Sequence, residues 1–258
     1  MSRLRTAGAL LLLGGLLSYL GQFLAAYQWQ GILSLEYNVI SDLGTTECSQ
    51  LDDVFPTRFV CSPGHLWFSG GLVLGGIALL AAAVLLVRAG TDALGRALLA
   101  ATPLAVGVGI AGLGMILGGA VAYDVQQVLH LSGLTVLVLG LWAAMAGSAW
   151  SSFRFGRLVE PPRDRAPVLS RAMLPVSVIL LGISAVGLVL LLLSPGTAPL
   201  GLFLRLMVDP VLLWVIAAGA ALLREGSPRR RREREDGRRQ RRAEQRERDA
   251  ALRKAVEQ

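Results

Sequence analysis

Charge is scarce in this chain, and the scarcity excludes most soluble folds. Only 17% of its 258 residues are charged, whereas 53% are hydrophobic and the mean hydropathy is +0.57. An ordinary soluble domain carries about 25% charged residues. The shortage in the body is sharper still, because charge concentrates at the C-terminus. Residues 224–258 hold 14 Lys+Arg and 8 Asp+Glu, leaving 11 basic and 10 acidic groups for everything before them. The pI near 10.4 therefore belongs to the tail. Lysine is nearly absent, Lys254 being the single one. That usage reads as the mark of a GC-rich bacterial genome, such as an actinobacterium's. Cysteine is limited to Cys48 and Cys61, with no CxxC or Cys/His spacing for a structural metal. No nucleophile elbow, P-loop, HExxH or dinucleotide fingerprint occurs, so no sequence-local active site is indicated and the cofactor is left unknown.

What is abundant is long apolar sequence. A bilayer core needs roughly 20 apolar residues per helix. Six runs meet that length: Ala7–Gln28, Trp67–Val87, Ala97–Ala122, Val128–Trp150, Ala172–Leu193 and Gly201–Leu223. The fold class expected is an all-α, integral membrane six-helix bundle. Residues 1–223 form the spanning domain and 224–258 a charged tail, disordered or helical. Gly71/Gly75 and Gly114/Gly118 have GxxxG spacing, which lets helix backbones approach closely. In so Gly- and Ala-rich a chain this favours packing within the bundle over dimerisation. Pro103, Pro175 and Pro210 should start or kink helices. No internal repeat is evident.

Basic residues fall on alternate sides of the runs. Arg3, Arg5, Arg88, Arg96, Arg154, Arg157, Arg163, Arg165 and Arg171 share one side with the tail. The opposite loops carry Arg58 against Glu36, Asp42, Glu47, Asp52, Asp53 and Asp124. Short Lys/Arg-rich loops stay cytoplasmic. The expectation is a cell-membrane protein with both termini inside and loops 29–66, 123–127 and 194–200 outside. A competing reading makes the first run a cleaved signal peptide, but it is long and lacks a good small-x-small site. In an oxidising compartment, Cys48 and Cys61 would form a disulfide; two free thiols are the alternative. The tail, with Arg229–Arg232 just past the last span, should attract anionic lipid headgroups. No aromatic residue interleaves its charges, which argues against nucleic acid.

Ionisable groups in or beside spans are the informative ones. Asp42 lies in Glu36-Tyr37-Asn38-Val39-Ile40-Ser41-Asp42-Leu43-Gly44, too short and polar to span. Either it folds back over the bundle and presents Ser41 and Asp42, or it is an Asx-type turn closed by Gly44. His130, near the start of the fourth run and six residues after Asp124, suits a proton shuttle or ligand contact, or bonds a backbone carbonyl. Asp124 and Gln127 resemble a capping box for the fourth helix. Arg205, inside the sixth run, suits a phosphate or carboxylate if free. Asp209, at i+4, is its obvious partner, unless it caps a short helix starting at Pro210. His65 lies at the mouth of the second span; with His130 it supplies only the minimum for a bis-histidine haem.

Tyr37-Asn38-Val39-Ile40-Ser41-Asp42-Leu43-Gly44 after a first span resembles the "Y…N.ISDLG" signature of the DUF998 family of prokaryotic membrane proteins. Gly112–Gly119 followed by Asp124 and His130 is similar to that family's glycine-rich third span, acidic turn and following histidine. Gly201-Leu202-Phe203-Leu204-Arg205 is similar to its "GL..R". The acidic turn departs from the family's Phe-Pro-x-Asp, reading Ala-Tyr-Asp here, and the loop holding the cysteines is longer. The resemblance implies the six-helix architecture over residues 7–223 and marks residues, without naming a chemistry.

Two classes of function remain. One is a polar pocket beneath the 29–66 loop, lined by Ser41, Asp42, Asp124, His130 and Arg205, that binds a lipid or small anion; Arg205, Asp124 and Asn38 are the binding candidates. The other is a membrane hydrolase or transferase acting on a lipid at the outer leaflet. Asp42, His130 and Ser41 are its catalytic candidates, with His130 as general base and Asp42 as orienter or metal ligand. A transporter is less favoured, since paired broken spans are lacking.

Overall fold

The computed structural model describes residues 3–89, 102–155, 169, 172–194 and 199–225. Six helices carry the chain: α1 (Arg3–Tyr27), α2 (His65–Ala89), α3 (Thr102–Ala120), α4 (Gln127–Phe155), α5 (Met173–Leu193) and α6 (Leu200–Glu225). Each is long and apolar enough to cross a membrane. Pro103 and Pro175 fall in the first turns of α3 and α5, where a missing N–H costs nothing. Pro210, by contrast, lies inside a continuous α6, so Asp209 is not the cap of a new helix. The basic segments expected at residues 90–101 and 156–168, and the tail beyond α6, lie outside the described residues.

The helices form a ring in which each packs on its sequence neighbour and α1 closes it against α6, with α4–α5 the thinnest seam. Small residues set the spacing. A Cβ added at Gly71 would meet the Leu17 carbonyl of α1 at 2.6 Å, and one at Gly133 would meet the Gly114 carbonyl at 2.9 Å. Both GxxxG pairs thus face helices of the same bundle, Gly71/Gly75 toward α1 and Gly114 toward α4. Trp142 and Trp214 of the apolar walls donate their indole N–H groups to Ser184 and Ser177 of α5, at 2.8 and 2.9 Å. Leu13, Leu16, Leu20, Phe23, Val186 and Leu192 are among the apolar side chains on the outer surface, as a lipid-facing wall requires.

Between α1 and α2 the chain folds back over one end of the ring. It forms a 3-10 turn (Ile40–Gly44) and a hairpin of β1 (Ser49–Leu51) and β2 (Arg58–Val60), paired antiparallel with Gln50 opposite Phe59. The hairpin was not legible in the sequence. A Cys48–Cys61 disulfide joins its ends. The 3-10 turn is wholly buried, and Gly44 lies so close to Phe68 that a Cβ there would meet the ring at 2.9 Å.

Candidate functional site

The buried ISDLG turn sends successive side chains in different directions. Ile40 and Ser41 face down into the bundle, while Asp42 faces the hairpin. Asp42 is fully buried and its carboxylate is saturated. Arg58 donates from Nε to Oδ2 at 2.8 Å and from Nη2 to Oδ1 at 2.6 Å, a bidentate pair. Asn38 Nδ2 adds a bond to Oδ2 at 3.2 Å, and Asn38 Oδ1 accepts from Ser34 N–H at 3.0 Å. The Asx-type reading does not hold: the Asp42 carboxylate goes to Arg58, and its carbonyl accepts from Thr45 Oγ at 2.8 Å.

Arg58 also reaches Asp53, with Nη1 to Oδ1 at 3.0 Å, and stacks over Phe55 and Tyr123. Tyr123 donates its hydroxyl to Asp53 at 2.8 Å and accepts from Gln127 at 2.7 Å. Burial pushes the Asp42 carboxyl above its ordinary value, against the pull of Arg58 and Asn38. Burial acts the same way on Asp53, but bonds from Arg58, the Phe55 N–H and Tyr123 outweigh it and hold that carboxyl low. Burial works against the Arg58 charge too, and the two carboxylates more than offset it. The sequence marked Arg58 only as an orientation signal, the single basic residue in a loop of five acids.

Asp124 has a different partner from the one expected. Its Oδ2 accepts from Thr46 N–H at 2.7 Å, Thr46 Oγ at 2.9 Å and Glu47 N–H at 3.1 Å, so it ties the loop to the α3–α4 turn and does not form the capping box with Gln127. Tyr123, beside it, makes an edge contact with the His130 ring at 5.5 Å between centroids.

Ser41 and His130, 89 residues apart, are brought together. His130 Nδ1 lies 2.8 Å from the Val121 carbonyl, which accepts and therefore fixes the proton on Nδ1. Nε2 is then the acceptor for the Ser41 hydroxyl at 3.0 Å. Both residues are buried. Asp42 adjoins Ser41 in sequence but takes no part in this pair. The two line a narrow cavity of about 20 Å³, room for one water, walled by Gln22, Phe68, Met115 and Val208 among others.

Gln22 faces this cavity and is 8% exposed, yet its Nε2 has no hydrogen-bond partner. Arg205 Nε and Asp209 Oδ1, across the α1–α6 seam, are likewise buried and unpartnered. The expected Arg205–Asp209 pair does not form: among the described residues, the ion pairs are those of Arg58 with Asp42 and Asp53. Tyr19 binds the Asp209 backbone carbonyl at 2.8 Å and leaves the carboxylate alone. Asn38 and Asp42 thus share one network, Ser41 and His130 form another, and Asp124 holds the loop separately. His65 stands apart, its Nδ1 at 3.2 Å from the Ser62 carbonyl. No group of three or more His, Cys, Asp or Glu suited to a metal occurs among the described residues.

No curated protein and no solved structure matches the chain. Residues 12–221 match the family described as "Protein of unknown function (DUF998)". That stretch runs from within α1 to within α6 and contains the buried 3-10 turn, His130, Arg205 and Asp209. A match over so much of the chain, and over every helix that walls the cavity, makes this protein a member of the DUF998 family.

Proposed function

We propose that this multi-pass membrane protein lies in the cytoplasmic membrane, both termini inside, and binds a lipid or small anion beneath its 28–64 loop through Arg205. The basic loops and tail support that orientation, and the tail is suited to anionic headgroups on the inner face. One observation carries the binding reading. Arg205 stands in a spanning helix with no ion pair among the described residues, and its Nε is buried without a partner. A guanidinium near the end of a span can snorkel toward water, but its buried Nε still wants an acceptor. An anionic oxygen at Arg205 would supply one. Native mass spectrometry of gently purified protein, with metal analysis, tests this. Wild type should carry a bound lipid or anion that Arg205→Ala loses while remaining folded; equal ligand content in both sinks the reading.

The Ser41–His130 bond favours a second reading, acyl transfer or hydrolysis on a membrane lipid. Ser41 would be nucleophile and His130 general base. Asp42 cannot orient the imidazole, since its oxygens are held by Arg58 and Asn38; the Val121 carbonyl does so. A fluorophosphonate that labels Ser41 in wild type but not in His130→Ala would support this, and an unlabelled Ser41 would remove it.

A further inference from the structure

The Val121 carbonyl fixes the His130 proton on Nδ1, so Nε2 can only accept, and the Ser41 hydroxyl at 3.0 Å donates to it. That spends the one proton Ser41 has. Lone-pair density remains on its Oγ, a place for a donor, and among the described residues nothing donates to it. Gln22 lines the same cavity with the opposite need. It is 8% exposed, and its Nε2 has no acceptor. The two residues stand at similar depth below the loop. Gln22 is five residues before the end of α1, about 7.5 Å along the axis. His130, to which Ser41 is bonded, is three residues after the start of α4, about 4.5 Å.

An occupant of the cavity must therefore accept from Gln22 and donate to Ser41. An anion only accepts and would face the Ser41 lone pairs. A metal cation accepts nothing and would face the Gln22 N–H. Neither would be solvated by the other walls, which are apolar side chains such as Phe68, Leu72 and Leu137, or glycine. A hydroxyl on a larger molecule has suitable chemistry, but it brings a carbon. A space of about 20 Å³ has room for a single water and no more.

We propose that the cavity is a site for one buried water, which accepts from Gln22 Nε2 and donates to Ser41 Oγ. The water completes a line of hydrogen bonds from Gln22 through Ser41 and His130 to the Val121 carbonyl. Every donor in that line points the same way, an arrangement in which each bond polarises the next. Through His130 alone, Ser41 ties the buried 3-10 turn to α4. Through the water it ties the turn to α1 as well. The site stands apart from both functional readings: it uses no atom of Arg205 and requires no reactivity of Ser41.

The test is a structure of the full-length wild type, in lipid or detergent, at a resolution that shows ordered water. One peak is expected, about 2.7–3.2 Å from both Gln22 Nε2 and Ser41 Oγ. It should be missing from Gln22→Met, whose side chain has similar length and no amide. An empty wild-type cavity overturns the proposal, as does a peak that touches only one of the two residues. Density longer than a single atom overturns it in favour of a larger ligand. A second measurement needs no map. Gln22 and Ser41 share no direct hydrogen bond, so coupling between them runs through what lies between. The Tm shifts of Gln22→Met, Ser41→Ala and the double variant should depart from additivity by about 2 °C or more. Additive shifts in variants that keep their helical circular dichroism overturn the bridge. Should Ser41→Ala not fold, the wild-type map decides alone.

Discussion

Two polar clusters lie a few residues from the same end of the bundle, and they are finished to different degrees. In the loop cluster, both carboxylate oxygens of Asp42, both amide atoms of Asn38 and the hydroxyl of Tyr123 have partners, with Arg58 bridging two acids. In the seam cluster, Gln22, Arg205 and Asp209 each keep a buried atom with none, as does Asp124 Oδ1 at the edge of the loop. Buried polar groups in native proteins are overwhelmingly hydrogen-bonded, so the few exceptions call for an explanation. The saturated cluster explains itself as structure: it clamps the hairpin and the 3-10 turn to the bundle. The unsaturated one makes sense as a place completed by something that binds. Catalogued by residue type alone, the two would look alike.

The contrast breaks or sharpens under substitution. Arg58→Ala should have the largest effect, because it strands the fully buried Asp42 carboxylate. About 3–5 kcal/mol of stability should be lost, read as the steepest fall in Tm in detergent, with the Arg58→Ala/Asp42→Asn double variant recovering part of it. Ser41→Ala leaves His130 Nε2 without a donor and unpins the turn from α4. It should cost about 1–3 kcal/mol, and limited proteolysis should cut the 28–64 loop faster. Smallest is Arg205→Gln, which removes an uncompensated charge and should leave Tm of ligand-free protein unchanged or slightly raised, although lipid retention is lost. A fall in Tm for Arg205→Gln as large as that for Arg58→Ala would erase the distinction between the clusters.

The six helices were legible because a span is a local property. Twenty apolar residues in a row report their environment without reference to any other part of the chain, and all six appear where the runs lie. Both GxxxG pairs were read with the right preference, since small side chains on one helix face allow close approach whatever the partner. The site was legible as residue types and only partly as partners. Asp124 looked like a helix cap because Gln127 follows it at the right spacing, but Thr46 and Glu47, nearly 80 residues away, take its carboxylate. Arg205 and Asp209 looked paired because i,i+4 spacing is a local rule, but in the fold they stand beyond ion-pair distance. Arg58 passed as a mere exception to a charge rule, since nothing near it in sequence announces Asp42, sixteen residues back, as its partner. Gln22 and Tyr123 gave no signal at all.

Hydropathy and small-residue spacing by themselves determined a six-helix membrane bundle, because lipid compels each span to satisfy its own backbone and to present an apolar exterior. Only the tertiary structure decided which polar groups are finished and which are not. Partner choice for a buried charge depends on what the fold brings within about 3 Å, and here the loop brought Arg58 to Asp42 and Ser41 to His130, while Arg205 Nε was left without a hydrogen-bond partner among the described residues.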